Sequence, residues 1–239
     1  MKKNSRKWEL YEATLASKNI KVIYIVGPPG VGKTYGALKY GRVQDGVFAC
    51  TITEETSAAE LRGFYQMKGG QTEWVDGPFI EAMKKGVRLV INEPSHASGD
   101  VLHLLYPLLE SEATARLTLP TGETVVAEDG FHVVLTDNEP PEKLPEALQD
   151  RLNAIIDVDE PHPEALAALD DDLREVAGSA MQIDDDRRIS ARDWLNIQAL
   201  REEFGLKNAC ILTFGSGRGE MVFDAIKLVW AHSRRPKKK

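Results

Sequence analysis

Cysteine is scarce in this 239-residue chain. The two that occur, Cys50 and Cys210, have neither metal-ligand nor redox-motif spacing. The sequence therefore predicts buried free thiols in a reducing compartment, not a disulfide framework. Long apolar runs are also missing: no stretch approaches the roughly 20 residues that a membrane-spanning helix needs. The chain starts Met1-Lys2-Lys3-Asn4, yet no uninterrupted apolar run or small-residue cleavage site follows. No signal peptide and no membrane attachment are expected, and the cytoplasm is the expected location. Positive charge is in deficit, with 30 Lys and Arg against 37 Asp and Glu, a formal net charge of -7. That balance argues against a surface given over to nucleic acid, although a local basic patch is compatible with it. Internal repeats are absent.

What is present alternates. A helix with Trp8, Leu10, Tyr11 and Leu15 is expected over residues 5–18. Lys21 to Val26 is a β-branched and aromatic run that stops at Gly27-Pro28-Pro29-Gly30, which reads as a buried strand entering a tight loop. A helix from Lys33 to Tyr40 should follow. Further strands are expected at 47–52, 87–91, 131–135 and 154–158. Between them lie helical patterns, the clearest over 100–110, with Val101, Leu104, Leu105, Leu108 and Leu109 on one face. Strands alternating with helices predict an α/β domain with a parallel sheet covered on both faces. Two stretches break the alternation and read as inserted β-hairpins: 63–75 around Gly69-Gly70, and 115–127 around Thr121-Gly122. After Pro161-His162-Pro163 helical patterns dominate. The expected domains are therefore 1–160, a helical unit over 161–233, and a basic tail over 234–239. The runs Asp170-Asp171-Asp172 and Asp184-Asp185-Asp186 read as solvated helix ends or loops. Phe214-Gly215-Ser216-Gly217-Arg218-Gly219-Glu220 reads as a loop between helices.

The chemistry begins at Gly27-Pro28-Pro29-Gly30-Val31-Gly32-Lys33-Thr34, a full match to the G-x-x-x-x-G-K-[ST] phosphate-binding pattern. Glycines let successive backbone N–H groups point at one phosphate, and the helix that follows adds its N-terminal dipole. Lys33 is placed for the β- and γ-phosphates, and the Thr34 hydroxyl for Mg²⁺. Tyr35 completes the expected nucleotide-binding segment. Downstream, Arg88-Leu89-Val90-Ile91-Asn92-Glu93 has the form of an apolar strand ending in the second acidic motif of such sites. Its first carboxylate position holds the neutral amide of Asn92. Glu93 is the expected general base.

With these motifs in hand, the chain resembles the MoxR-like branch of the AAA+ ATPases, which includes CbbQ/NorQ-type activators and relatives of the McrB motor domain. The resemblance runs from about Ile20 to Ile211. It also rests on Glu60-Leu61-Arg62-Gly63, Trp74-Val75-Asp76-Gly77-Pro78, Leu108-Leu109-Glu110 before a Thr-Gly hairpin, Phe131 to Asn138, and Leu148-Gln149-Asp150-Arg151-Leu152. It implies an AAA+ core with two hairpin inserts facing a pore or client, followed by a small helical lid. It implies sensor 1 at Asn138, an arginine finger at Arg151 that serves the adjacent subunit, and sensor 2 at Arg192, with Arg187 and Arg188 as competitors. It implies ATP and Mg²⁺, a homo-oligomeric ring of hexameric type, and a protein client, with von Willebrand factor A-type domain proteins common as partners in the family. Asn92 departs from the pattern and puts fast turnover in doubt. A slow ATP-dependent scaffold or switch is one alternative. A nucleic-acid-stimulated motor, allowed by Arg234-Arg235-Pro236-Lys237-Lys238-Lys239, is less favoured given the acidic balance.

Overall fold

A computed structural model of the chain describes residues 2–110, 115–180 and 189–233. They fall into two compact units. One comprises residues 2–28, 33–110 and 115–158; the other comprises 29–32, 159–180 and 189–233.

The first unit opens with helix α1 (Lys2–Ala16), strand β1 (Val22–Val26), helix α2 (Lys33–Lys39) and strand β2 (Val47–Thr51). Helix α3 (Ala58–Arg62) leads into the hairpin of β3 (Gly63–Lys68) and β4 (Gln71–Asp76), then into α4 (Pro78–Lys85). Strand β5 (Arg88–Asn92), helix α5 (Gly99–Leu108), the hairpin of β6 (Arg116–Thr118) and β7 (Thr124–Val126), and β8 (His132–Asp137) follow. Helix α6 (Glu146–Gln149) and β9 (Ala154–Asp157) complete it. The main sheet runs in the order β2-β5-β8-β1-β9, with every pairing parallel.

Burial explains the near-continuous apolar strands. In β5 Leu89, Val90 and Ile91 are fully enclosed, and all six residues of β8 are buried, as expected of strands covered on both faces. One side of the core gathers Tyr24, Phe79, Met83, Leu105 and Leu135. β2 is an edge strand, so Cys50 on it is half-buried rather than enclosed as the sequence suggested. Both inserted hairpins form where the patterning places them. Gly69 and Gly70 turn the first with positive φ of 60° and 83°.

The second unit contains helices α7 (Pro163–Ala167), α8 (Asp171–Ala180), α9 (Ala191–Phe214) and α10 (Ser216–Ser233). Its core is Leu173, Val176, Trp194, Ile197, Cys210 and Ile226. α9 bends at Gly205, whose φ of 74° and ψ of 158° are not helical. Asp171 and Asp172 lie in the first turn of α8, and Arg201 reaches back to both Asp170 and Asp172. The stretch 214–220 corrects the sequence reading. Only Gly215 interrupts the helices, and Ser216–Glu220 already belong to α10. The reason is packing: a Cβ on Gly219 would lie 2.5 Å from Ile211 Cα, so this glycine marks a close crossing of α9 and α10. Asp184-Asp185-Asp186, Arg187, Arg188 and the basic tail lie outside the described residues. No helix among the described residues is long and apolar enough to cross a membrane.

Candidate functional site

The sheet order puts the C-terminal ends of β5, β8 and β1 side by side. Register aligns them: Val26 pairs with Asp137, and Asn92 with Thr136. The ladder continues one step past each strand, with Gly27 N–H donating to Asp137 O at 3.3 Å and Glu93 N–H to Thr136 O at 2.8 Å. Three loops therefore leave the sheet from neighbouring positions, the usual place for a ligand in an open parallel sheet.

Lys33 begins α2 and is 7% exposed. Its ammonium donates to Gly27 O at 2.7 Å, Pro28 O at 3.0 Å and Asn138 Oδ1 at 2.8 Å. From the other side, Tyr11 of α1 donates its hydroxyl to Lys33 O at 2.6 Å. Its ring lies where a Cβ on Gly36 would be, 2.7 Å from the nearest ring carbon. Helix α1 thus braces the phosphate-loop helix, a contact the motif alone does not reveal. The tip of the loop groups with the second unit. There Val31 is buried, its carbonyl accepts from His162 N–H at 3.0 Å, and Gly30 adopts φ 74°. A Cβ on Gly30 would lie 2.4 Å from Ser190 Cβ, so glycine is required there both sterically and conformationally.

Thr34 and Asn92 meet as the motifs suggested. Thr34 Oγ1 donates to Asn92 Oδ1 at 2.8 Å, and Thr136 Oγ1 donates to the same oxygen at 2.7 Å. The Asn92 amide nitrogen faces the other way, donating to Cys50 O at 3.2 Å and Thr51 Oγ1 at 3.3 Å. The amide oxygen therefore points at the Thr34 hydroxyl. This makes a pair of hard oxygen donors suited to an oxygen-preferring cation such as Mg²⁺, though neither carries charge.

Glu93 is the only non-glycine described residue with positive φ, at φ 57° and ψ 48°. A left-handed glutamate is uncommon and costs about 1 kcal/mol or more. Its Oε1 accepts from Asn138 Nδ2 at 3.0 Å. Asn138 thus links the expected base to the phosphate-loop lysine through its two amide ends. Burial, with the nearby Asp137 charge, pushes the Glu93 carboxyl above its ordinary value, against the pull of Lys33. Asp137, fully buried, is the residue that sequence reasoning passed over. Its carboxylate accepts from Ser95 N–H at 2.9 Å, Ser95 Oγ at 3.0 Å and Glu139 N–H at 3.0 Å. It thereby holds the turns that follow β5 and β8. The signal was an acidic residue just beyond the apolar run Val133-Val134-Leu135.

Arg151 lies outside this network. Its Nε donates to Glu110 Oε1 at 2.8 Å, Nη2 reaches the same carboxylate, Nη1 reaches Ala147 O, and Cζ sits 5.6 Å from the Tyr106 ring centroid. Arg192 is exposed in the first turn of α9, beyond the N-cap Ser190. A reciprocal capping box closes that turn: Asp193 N–H donates to Ser190 Oγ at 3.2 Å, and Ser190 N–H to Asp193 Oδ2 at 2.9 Å. Tyr35 is exposed, its hydroxyl accepting from Lys39 Nζ at 2.9 Å.

Residues 22–152 match the AAA domain family, dynein-related subfamily. Protein NorQ of Paracoccus denitrificans (strain Pd 1222) is 35% identical over 127 residues, covering 52% of this chain and 46% of NorQ. An uncharacterized protein of Staphylococcus aureus (strain USA300) is 37% identical over 128 residues, covering 50% of this chain and 47% of that protein. The chain thus spans about half the length of the curated relatives it matches. Among solved structures, NtrX from Brucella abortus aligns with a TM-score of 0.54 at 16% identity, over 98% of this chain and 52% of NtrX. A candidate ATPase from Cytophaga hutchinsonii aligns at 0.51 and 18% identity, over 94% of this chain and 79% of that one. At such identities these structures speak for the fold. The phosphate loop, the strand-end network and a family match that runs from β1 past Arg151 agree: the chain belongs to the AAA domain family, dynein-related subfamily, as a MoxR-like AAA+ protein.

Proposed function

We propose that this chain hydrolyses ATP and couples hydrolysis to remodelling of a protein client within a homo-oligomeric ring, a hexamer in the simplest form. The observation that carries the hydrolytic reading is the Lys33–Asn138–Glu93 chain of hydrogen bonds at 2.8 and 3.0 Å. It joins a cation suited to phosphate oxygens, a polar side chain able to orient water, and a carboxylate whose raised pKa suits a general base. In this reading the backbone from Gly27 to Thr34 cradles the phosphates of ATP, and Lys33 exchanges loop carbonyls for phosphate oxygens. Glu93 takes the proton of the attacking water, and Arg192 contacts the nucleotide from the helical lid. Arg151 serves the neighbouring subunit's ATP, so hydrolysis requires assembly. Thr34 and Asn92 would hold Mg²⁺, which when bound offsets phosphate charge. The client is a protein, with a von Willebrand factor A-type domain protein as the partner class to try first. Localisation in the cytoplasm accords with this use of ATP.

Isothermal titration with ATP tests the foundation. Lys33→Ala should lose at least tenfold in affinity while its circular dichroism stays that of the wild type. Wild-type affinity in the variant defeats the reading.

One observation favours a second reading, a slowly hydrolysing ATP-dependent scaffold or switch. The position that would carry a metal-steadying charge is the neutral Asn92, already hydrogen-bonded to two hydroxyls. Steady-state turnover of the assembled protein separates the two: sustained ATP hydrolysis supports the motor, and binding without turnover supports the switch.

A further inference from the structure

We propose that Glu110 is the positioning residue of Arg151: it holds the guanidinium at a fixed orientation so that its remaining donors can be presented to a neighbouring subunit's nucleotide. The proposal rests on the reading of Arg151 as a finger that acts on the adjacent subunit.

The geometry is that of a side chain gripped along one edge. A guanidinium has five N–H donors. Nε and Nη2 each give one to Glu110 Oε1, and Nη1 gives one to Ala147 O. That leaves one N–H on each terminal nitrogen as a donor for phosphate oxygens. Tyr106 lies 5.6 Å from Cζ and limits tilting of the plane. The Arg151 side chain remains 28% exposed and that of Glu110 37% exposed, so the assembly is accessible and still tied down. Its anchors come from different parts of the chain. Glu110 and Tyr106 belong to the end of α5 and the turn after it, and Ala147 lies in α6, one turn before Arg151 itself. Arginine otherwise samples many rotamers. A finger that must be ordered anew at each encounter loses part of its rate advantage, whereas one held by a second shell of hydrogen bonds does not. Glu110 touches neither the nucleotide-binding loop nor the Lys33–Asn138–Glu93 chain among the described contacts, so its influence should pass through Arg151 alone.

Mixed assemblies test this. Lys33→Ala subunits contribute a finger but no pocket; Arg151→Ala subunits contribute a pocket but no finger. Their mixture should recover ATP hydrolysis, since finger arginines supply on the order of 10³-fold in rate. Adding Glu110→Ala to the Lys33→Ala subunit should then lower the recovered kcat roughly tenfold or more, with KM for ATP unchanged, because every working pocket is intact. Glu110→Gln, which keeps an acceptor oxygen without the charge, should fall between. Adding Glu110→Ala to the Arg151→Ala subunit should cost nothing further, since the residue it positions is already gone. Native mass measurement checks that every mixture co-assembles. Recovery that ignores Glu110 on the finger-donating subunit overturns the proposal and leaves the finger standing. Equal loss from both placements also overturns it, in favour of a general structural role. No recovery in the parent mixture overturns the finger that acts between subunits, and the proposal with it.

Discussion

The two ends of the parallel sheet carry polar networks of opposite character. At the C-terminal ends, hydrogen bonds link Lys33, Asn138 and Glu93 in one group and Thr34, Asn92 and Thr136 in another; Lys33 and Thr136 are buried, but Asn92, Glu93 and Asn138 stay partly open, and Glu93 holds its backbone in the left-handed region. At the N-terminal ends, Arg88 of β5 and His132 of β8 are sealed, at 0% and 2% exposure. Arg88 donates from Nε to His132 Nε2 at 2.9 Å, from Nη1 to Ala37 O and Tyr40 O at 2.6 Å each, and from Nη2 to Leu15 O at 3.0 Å. Those carbonyls lie at the ends of α1 and α2, where helices leave acceptors unsatisfied and welcome a cation. Burial lowers the Arg88 pKa to about 10, which leaves it charged at neutral pH. One end stores strain and raises the pKa of a carboxyl; the other clamps two helices to the sheet. The same fold thus keeps the proposed chemistry and the cohesion apart by the length of a strand.

The largest effect that would sharpen this contrast is on rate. Glu93→Gln should lower kcat by about 10²–10⁴-fold while leaving ATP binding and thermal stability near the wild type. Wild-type turnover would remove Glu93 from the chemistry. At the other end, Arg88→Met should cost about 3 kcal/mol in denaturant unfolding, because several buried acceptors lose their donor at once. The folded fraction should keep the wild-type kcat, and a large loss of kcat at unchanged stability would break the contrast.

A smaller, pH-dependent effect follows from His132. Its Nε2 accepts from Arg88 and its Nδ1–H donates to Gly130 O at 2.8 Å, so a second proton would set donor against donor. Burial first, then the neighbouring positive charges, holds its pKa at about 4 against an ordinary 6.5. Because the folded value is the lower one, this contribution to stability is complete above pH about 6.5. It is lost as pH falls toward about 4, by at most roughly 3 kcal/mol. Unfolding free energies measured from pH 7 to pH 4 should show that slope in the wild type and a shallower one in His132→Gln; identical slopes would contradict it. Smallest of all, Asn92→Asp should raise apparent Mg²⁺ affinity in ATP hydrolysis by a fewfold, since a carboxylate attracts the cation more than an amide does. An unchanged Mg²⁺ dependence would mean that Thr34 and the phosphates suffice.

Much of one end was legible in the sequence and little of the other. The phosphate loop is local: its glycines, lysine and threonine are consecutive, and the apolar run before them declares the strand. Glu93 could be named because it follows an apolar strand, and Asn138 through the family resemblance. What the sequence could not give is the register. Lys33 and Asn138 are 105 residues apart and Thr34 and Asn92 58, and only the strand order brings them within hydrogen-bond reach. Arg88 and His132 were opaque for a related reason. A charged residue at the start of a strand reads as solvent-facing until two helix ends are known to converge on it. The stretch 214–220 misled because glycine signals both a loop and a close helix crossing, and here Gly219 serves the second purpose.

The left-handed backbone at Glu93 also bears on how this position can change over generations. Glycine, asparagine and aspartate relax most easily into that conformation. Aspartate is the only one of them with a carboxylate, and it is one methylene short of the reach that brings Glu93 Oε1 to Asn138 at 3.0 Å. Glutamine keeps the reach and discards the charge, and β-branched residues fit the backbone worst of all. Every single substitution therefore gives up reach, charge or backbone fit, and an easier backbone comes only with a lost function. On the proposed role of Glu93 as the base, a homologue that has drifted to glycine, asparagine or glutamine here would be expected to have kept the fold and relinquished hydrolysis.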